Sequence, residues 1–470
     1  MSLASALEIG KSGLKIYQVA TEVVSENIAN VNTPGYSRQR VVLESAPPST
    51  ANGFPLGTGV RIASVERYYD TLLQRQLVNA GTTTGYDTKK SEVLQQIEPI
   101  FNEVAQDGLG AAITDFFNSW QDLSLNPTGN AERQAVLSTA QIMTDQFHYV
   151  SRTLNDAAIA QNDAVEPIAD SVNTILANIA QLNGQIKVTE QVNGNANEMR
   201  DQRDYLVRQL SENIAVTYVE NSDGTTDVSY TDTTGGPYAL VAGLNAATLG
   251  ITTSGTLPDG STPRNVVQIT PAGGGATTTI APTTGTLGAL MVMRDTTIPG
   301  YLTKVNDLAT NVVSEVNTLH SSGYTLNSST PTGVNLFTPA GTAANTIAVD
   351  ITDITLVAAA QSSTSSGDNS NAVALARLVN ANTMSGGTAT FSNYYNSLVA
   401  QVGLDVNAAQ SVVSQDNAFL KQLSTLRDSN SGVSLDEELT DLIKYQRSYQ
   451  ASAKLITTVD SMMETLVNMI

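Results

Sequence analysis

The side chains best suited to catalysis or metal binding are few in this chain. The sequence has two histidines, His148 and His320, and no cysteine. A three-histidine zinc site, a thiolate metal site and a cysteine nucleophile are therefore excluded. We expect both histidines to be packed or surface residues, with His320 at a helix C-terminus, where a positive charge is favourable.

Carboxylates and glycines give three weaker signals. Asp227 and Asp232 would suit a hydrolase with paired carboxylates, but no motif organises them. Gly108-Leu109-Gly110 is a fragment of a phosphate loop. Asn221-Ser222-Asp223-Gly224 is similar to a calcium loop, but Val219 stands where its first carboxylate should be, which favours a hairpin turn. We expect no catalytic, metal or cofactor-binding site.

Charged residues cluster between positions 200 and 204, where Arg200, Asp201, Arg203 and Asp204 fall on a helical stretch. Their spacing favours a helix surface with short-range ion pairs over an acid and base pair.

The overall charge narrows the range of partners. The 470 residues include 24 Lys and Arg against 44 Asp and Glu, a formal net charge of −20. Such a chain repels nucleic-acid phosphates and anionic lipid surfaces, so neither nucleic acid nor membrane is expected as a partner. No apolar run approaches the roughly 18 residues of a membrane span, and the first 20 residues lack the pattern of a cleaved signal peptide.

Both ends of the chain carry apolar residues at steps of three and four, as in a coiled coil. The first series is Leu3, Leu7, Gly10, Leu14, Tyr17, Thr21, Val24, Ile28 and Val31. The second is Leu435, Leu439, Leu442, Gln446, Tyr449, Ala453, Ile456, Asp460, Met463, Val467 and Ile470. We predict two long helices whose apolar members form an assembly interface, the first ending at the turn 32–35 and the second beginning with a capping box at Ser434 and Glu437.

A second stripe on the last helix indicates several neighbours. It consists of Tyr445, Leu455, Val459, Met462 and Leu466. One partner helix would leave this stripe in water, so we expect both tails to complete their folding on assembly.

The remaining chain predicts an α+β multidomain protein. We assign residues 1–33 and 434–470 to a terminal coiled-coil domain. A discontinuous helical-bundle body takes residues 34–215, 286–322 and 358–433, with breaks near Pro99, Pro127, Pro167, Gly184 and Gly194. Residues 216–285, with the β-like segment 323–357 as a further candidate, form an inserted β-rich domain.

Two terminal motifs resemble one known family. The segment 25–40, SENIANVNTPGYSRQR, closely resembles the N-terminal signature of the flagellar axial proteins, which are the rod, hook and hook-associated components. The segments 431–439, SGVSLDEEL, and 445–453, YQRSYQASA, look like the matching C-terminal end. The stretches 201–206, 288–295 and 367–372 are similar to hook-associated proteins of the hook–filament junction. The resemblance does not cover residues 221–285.

The resemblance implies a non-enzymatic structural role. It implies uncleaved export by the flagellar type III apparatus, a passage through the cytoplasm, and a final extracellular place between hook and filament. The implied partners are further copies in a tubular ring, the hook protein, the second hook–filament junction protein and an export chaperone holding the last helix. The signature residues Asn30, Asn32, Thr33, Pro34, Gly35 and Tyr36 are expected to form a helix-ending turn, a subunit contact, or both. The alternatives are a rod or hook subunit, or a surface protein with a hydrolytic β insert.

Overall fold

A computed structural model describes residues 3–51, 54–102, 108–192, 194–231, 235–326, 333–363 and 367–469. Within these residues the helices are α1 (Leu3–Ala29), α2 (Thr71–Ile97), α3 (Leu109–Leu125), α4 (Asn130–Asp163), α5 (Val165–Gln191), α6 (Asn197–Asn213), α7 (Gly285–Val292), α8 (Ile298–Ser322), α9 (Ser370–Arg377), α10 (Phe391–Ser431) and α11 (Leu435–Asn468). The strands are β1 (Gln39–Ser45), β2 (Ser49–Ala51), β3 (Phe54–Leu56), β4 (Val60–Arg67), β5 (Thr217–Glu220), β6 (Thr226–Tyr230), β7 (Tyr238–Ala242), β8 (Asn245–Ala246), β9 (Thr248–Thr256), β10 (Pro263–Thr270) and β11 (Thr278–Thr279). No helix of this described part is long and apolar enough to cross a membrane.

The terminal helices α1 and α11 pack against each other in antiparallel orientation. Gly10 faces Ile456, Gly13 faces Ser452 and Tyr17 stacks on Tyr445. Together with the helical body and the small antiparallel sheets, this pair confirms the α+β architecture predicted from the sequence. The exact division into domains stays a prediction.

The helical core is formed mainly by α3, α4, α8, α9 and α10. Its buried side chains include six of the eight phenylalanines of the chain and its one tryptophan. They are Phe101, Phe116, Phe117, Trp120, Phe147, Phe337 and Phe391. Rings of Phe117 and Phe391 stack at 5.7 Å, which ties α3 to the start of α10. Large buried rings remove much apolar surface from water, so this core fixes the centre of the molecule.

A second core lies between helices α5, α6 and α7 and two small sheets. One sheet has the strand order β5-β6-β7-β8 and the other the order β11-β10-β9, with antiparallel pairing in both. We call the unit formed by α5 and these two sheets the β-lobe. Asn173 on α5 accepts from the Leu249 amide at 2.7 Å and donates to the Leu249 carbonyl at 2.8 Å, which fixes the register of helix against sheet.

Two of the helical connections between the cores are interrupted at the same level, whereas the continuous helix α2 contributes Val78 to the second core and Val93, Leu94 and Ile97 to the first. One interrupted connection passes from α4 to α5 through Ala164, and the other passes from α7 to α8 through a π-helical turn at Met293–Thr297.

The fully buried Arg294 spans the level of both interruptions, donating to Asn162 Oδ1 at 3.0 Å and to the Asn265 carbonyl at 2.6 Å. Its Nε and Nη2 donate to Asp295 Oδ1 and Oδ2, both at 2.8 Å, so this ion pair is bidentate. One guanidinium therefore fixes the orientation of the β-lobe on the helical core.

The structure differs from the sequence prediction in several places. Residues 39–67, placed in the helical body, form strands β1 to β4, and α5 continues through Gly184. The capping box at Ser434 is not formed, since the Ser434 side chain makes no capping bond. The described residues of the β-like segment 323–357 contain isolated bridges and one 3-10 turn but no extended strand.

Side chains take the place of strand neighbours in that segment. Asn317 accepts from the Leu336 and Phe337 amides at 3.0 Å and donates to the Phe337 carbonyl. His320 is fully buried, with Nδ1 at 2.7 Å from the Val334 carbonyl and Nε2 at 3.1 Å from the Ala358 amide. Nε2 must accept, so Nδ1 carries the proton and the ring is neutral. The expectation of a charged His320 at a helix end is therefore wrong.

We predict that His320 makes the protein sensitive to mild acid. Burial lowers the pKa of His320 to about 4, whereas the unfolded chain takes up this proton near pH 6.5. Between these values only the unfolded state binds the proton, so the free energy of unfolding falls by a total of about 3 kcal/mol as the pH drops from 6.5 to below 4. NMR titration, with His148 as the only other histidine, measures the ring directly. Titration of His320 above pH 6 would contradict the assignment.

Candidate assembly site

The terminal helices approach closely because small residues face each other. A Cβ atom added at Gly10 would lie 2.8 Å from Ile456 Cγ1, and one added at Gly13 would lie 2.8 Å from Ser452 Oγ. Both glycines weaken an isolated helix. Their role is to let the two backbones come together, which larger side chains would prevent.

The predicted interface residues of the first series are all at least partly buried. Val24 is buried, and the remaining members are half-buried. These members are Leu3, Leu7, Leu14, Tyr17, Ile28 and Val31. The helix ends at Ala29, slightly before the predicted end at Val31.

The predicted interface residues of α11 mostly face solvent. Leu442 and Ile456 are half-buried, but five others are exposed. These are Leu435, Leu439, Tyr449, Met463 and Val467. The side toward α1 is instead formed by Glu438, Leu442, Tyr445, Ser452, Ile456 and Val459. The sequence series had named Leu442 and Ile456 on this side and the second stripe Tyr445 and Val459, but not Glu438 and Ser452.

A buried asparagine joins both terminal helices to the start of β1. Asn27 is 1% exposed and makes four hydrogen bonds. Its Nδ2 donates to the Gln39 carbonyl at 2.9 Å and to Glu438 Oε2 at 3.0 Å, and its Oδ1 accepts from Tyr36 Oη and the Gln39 amide, both at 2.9 Å. Burial and the Glu26 carboxylate raise the pKa of Tyr36, so its hydroxyl keeps the proton that it donates. All hydrogen-bonding groups of the Asn27 amide are thereby used.

Arg38 closes the same network from the other side. Its Nε lies 2.5 Å from Glu438 Oε1 and its Nη1 lies 2.7 Å from Glu437 Oε2, while its amide donates to the Ser431 carbonyl at 2.8 Å. Glu438 is 1% exposed, so its charge depends on Arg38 and Asn27 for compensation. We call Asn27, Tyr36, Arg38, Gln39 and Glu438 the base network.

A second set of charges ties the base network to the body through α6. The Ser37 amide donates to Asp201 Oδ2 at 2.7 Å, and Arg67 Nη1 lies 2.7 Å from Asp201 Oδ1 and 2.8 Å from Asp204 Oδ2. These three charged side chains are largely buried. Residues 200–204 were predicted to form a helix surface with short-range ion pairs. The ion pairs are present, but the surface is not, because Asp201, Arg203 and Asp204 are buried.

The signature turn supports this joint. Gly35 has φ +86°, and a Cβ there would lie 3.0 Å from Tyr205 Cβ, so the turn requires glycine. Arg427 Nη2 on α10 donates to the Gly35 and Tyr36 carbonyls at 2.7 and 2.9 Å. Asn30 donates to the Glu26 carbonyl at 3.1 Å, which ends α1. The turn residues Asn32, Thr33 and Pro34 remain exposed.

The other candidates for chemistry are engaged in internal contacts. His148 Nε2 lies 2.8 Å from the Ile347 carbonyl, and Asp227 accepts from the Gly243 amide at 2.7 Å. Asp223 closes a hairpin turn by accepting from Thr225. Asp232 lies outside the described residues. Within the described ranges no group of three His, Asp or Glu side chains is placed to hold a metal ion.

Comparisons with known proteins define the class. Residues 7–36 match the family model of the flagella basal body rod protein, and residues 427–469 match the C-terminal model of the flagellar basal body rod FlgEFG proteins. Residues 94–337, about half of the chain, match the model of the flagellar hook-associated protein FlgK helical domain. A chain with both terminal models around such a body is an axial component of the bacterial flagellum, and it has a structural role.

The chain belongs to the FlgK family of flagellar hook-associated proteins. It is 28% identical to flagellar hook-associated protein 1 of Bacillus subtilis, covering 98% of this chain and 97% of that protein. It is 26% identical to the protein of the same name from Salmonella typhimurium, covering 99% and 100%. The flagellar hook junction protein FlgK from Burkholderia pseudomallei has a similar fold, with a TM-score of 0.67 at 16% identity over 76% of this chain and all of that one.

Removal of Arg38 should loosen the base network. We expect Arg38→Ala to destabilise the α1 and α11 pair by about 2–4 kcal/mol, because it leaves the Glu438 charge buried and uncompensated. Arg40→Ala, two residues further along in β1 and with an exposed Glu66 partner at 3.6 Å, should cost at most about 1 kcal/mol. Hydrogen exchange of α1 amides measures both, and Arg38→Ala/Glu438→Gln should recover part of the loss. Equal effects of the two arginine variants would refute the buried network.

The close contact at Gly10 gives a steric test. Gly10→Val should weaken the helix pair by about 1–3 kcal/mol, since the valine side chain would overlap Ile456. The double variant Gly10→Val/Ile456→Ala should remove this overlap and recover part of the loss. Gly403→Ala in α10 is the control, because a Cβ there meets no atom within 4 Å, and it should stabilise by about 1 kcal/mol. Denaturant unfolding of the three variants measures the differences. A neutral Gly10→Val would show that the helices do not approach as described.

Proposed function

We propose that this protein is the structural adaptor that joins the flagellar hook to the filament, acting as one ring of a tubular assembly. Both relatives are named hook-associated proteins, and the fold neighbour is named a hook junction protein. The proposed role is not catalytic, and the base network, the Asp201 ion pairs and the buried histidine serve to hold the fold.

The exposed apolar residues of α11 carry the proposal. Ile443 is 59% exposed and Val467 is 72% exposed, and further apolar residues lie between them. These are Tyr449, Leu455, Met462, Met463 and Leu466. The exposed Leu435, Leu439 and Ile443 are spaced four residues apart and lie on one side of this helix of 34 residues, whereas Leu455, Met462 and Leu466 lie together on another side. Such exposed apolar patches are an aggregation hazard unless other molecules cover them. Packing of several copies side by side would cover these patches and the outer side of α1.

This arrangement supports the remaining elements of the proposed role. Copies of the chain, the hook protein and the second junction protein would meet the interface residues of α1 and α11, together with the signature turn. A chaperone would cover α11 in the cytoplasm before export of the uncleaved chain to the cell exterior. The rod and hook alternatives are less favoured, because residues 94–337 match the hook-associated family model and only the ends match rod models.

Deletion of the protein tests the role. In the source bacterium without its own copy, electron microscopy should show hooks without filaments, and flagellin should be shed into the medium. Normal filaments on such cells would rule out the adaptor role.

A point substitution tests the interface itself. Ile443→Asp should leave the fold unchanged, because the side chain is exposed, but it should abolish filament assembly, since a carboxylate would be buried between copies. Leu404→Asp is the matched control, with a 70% exposed leucine on α10 in the helical body, and it should support normal filaments. The readouts are circular dichroism of the purified variants and filament counts in complemented cells. Filaments with Ile443→Asp would remove this face from the interface.

A further inference from the structure

Asn183 on α5 is a contact point between this helix, α6 and the sheet β5-β6-β7-β8. The residue is fully buried. Its Nδ2 donates to the Thr226 carbonyl at 2.8 Å and to the Gly243 carbonyl at 2.7 Å. Its Oδ1 accepts from the Thr226 amide at 3.0 Å and from Arg203 Nη1 at 3.1 Å. Every donor and acceptor of the side-chain amide is therefore used. A carboxylate in the same place would leave two buried carbonyls without donors.

Gly184, the next residue, is a glycine that the packing does not require. It lies inside α5, where glycine is less favourable than alanine because its backbone loses more freedom on folding. A Cβ atom added there would meet Leu244 Cδ2 at 3.5 Å, which is ordinary van der Waals contact. At Gly81 of α2, by contrast, an added Cβ would lie 2.8 Å from Ser211 Oγ. Alanine would therefore fit at position 184 and stabilise the helix.

An asparagine followed by glycine is chemically prone to deamidation, because glycine has no Cβ atom to hinder ring closure. The backbone nitrogen of the glycine loses its proton to solvent base and forms a bond to the asparagine Cγ. The Cγ–Nδ2 bond then breaks, and ammonia leaves with a proton from water. Water opens the resulting succinimide ring at one of its two carbonyls, which yields aspartate or isoaspartate. Water is the one reactant consumed, and nothing is oxidised or reduced.

The folded structure opposes this reaction at Asn183. The amide of Gly184 lies in the interior of α5, where backbone amides are held in helical hydrogen bonds. Four hydrogen bonds hold the side chain of Asn183 against the sheet and α6. Ring closure requires the backbone to leave the helical conformation and the side chain to leave its partners. The reaction therefore needs a local opening of α5 or an unfolded chain.

We propose that Asn183 is a modification site that reacts in the unfolded chain, where deamidation at Asn183-Gly184 withdraws the chain from correct folding. Aspartate offers no donor to the carbonyls of Thr226 and Gly243. Isoaspartate adds one backbone atom to α5 and interrupts the helical repeat. Either form leaves the β-lobe without this contact between helix and sheet. The chain thus carries a limit on the time for which it can stay unfolded, and this inference does not rest on the adaptor role.

Mass spectrometry of the full chain, aged in two states, tests the site. The protein is kept at mildly alkaline pH in native buffer or in concentrated guanidinium chloride. Trypsin then separates peptide 153–187 from peptide 188–200, which contains the reference pair Asn193-Gly194. In denaturant we expect both asparagines to convert. In native buffer, conversion at position 183 should be at least about tenfold slower than in denaturant, since only locally opened molecules react. Equal rates at position 183 in the two states would overturn the proposal, as would conversion of Asn193 alone in denaturant.

The variant Gly184→Ala separates this modification from other damage in denaturant. It should fold with an unfolding midpoint at or above that of the unmodified chain, and it should convert far more slowly at position 183. Both aged proteins are returned to native buffer, and hydrogen exchange of the β6 and β7 amides reports on the β-lobe. The fraction of unmodified chains that lose protection should match the fraction converted at position 183, whereas Gly184→Ala should regain its protection. Equal losses in the two proteins would overturn the proposal.

Aspartate variants give an independent readout of the consequence. Asn183→Asp should make the β6 and β7 amides exchange at least about tenfold faster, because two buried carbonyls lose their donors. Asn178→Asp is the matched control on the exposed side of the same helix, and its exchange should equal that of the unmodified chain. Unchanged exchange in Asn183→Asp would overturn the proposed effect of the reaction on folding.

Discussion

The buried contact between Asn27, Arg38 and Glu438 is the constraint on which the rest of the structure depends. A carboxylate with 1% exposure is tolerated only where donors surround it, and these donors come from α1 and from the segment before β1. The geometry of α1, α11 and β1 is therefore set jointly. None of the three can shift without leaving a charge unpaired in the interior.

This constraint extends into the body through one short segment. Ser37 and Arg67 contact Asp201 on α6, and Arg427 on α10 holds the carbonyls of Gly35 and Tyr36. These contacts of the signature turn therefore fix the angle between the pair of terminal helices and the helical body.

The sequence predicted the elements better than their contacts. Leucines at helical steps and the stop at Pro34-Gly35 correctly indicated α1, and α11 begins at Leu435 as predicted. The contact face of α11 was predicted only in part, because Ser452 and Glu438 carry no apolar signal. Asn27 and Glu438 are separated by 411 positions, so local spacing cannot reveal their bond. Segment 323–357 was expected to be β-like, but Asn317 and His320 satisfy backbone groups of Val334, Leu336 and Phe337 with their side chains.

The π-helical turn at Met293–Thr297 has a mechanical consequence. The two chain connections between the β-lobe and the helical core both have an irregular turn at the level of Arg294, whereas α2 packs against both cores without interruption. Deformation will concentrate where helical hydrogen bonding is least regular. The Arg294 guanidinium, with its five donors, connects the two irregular turns. We therefore expect the β-lobe to tilt as one unit while the packing within each core is kept.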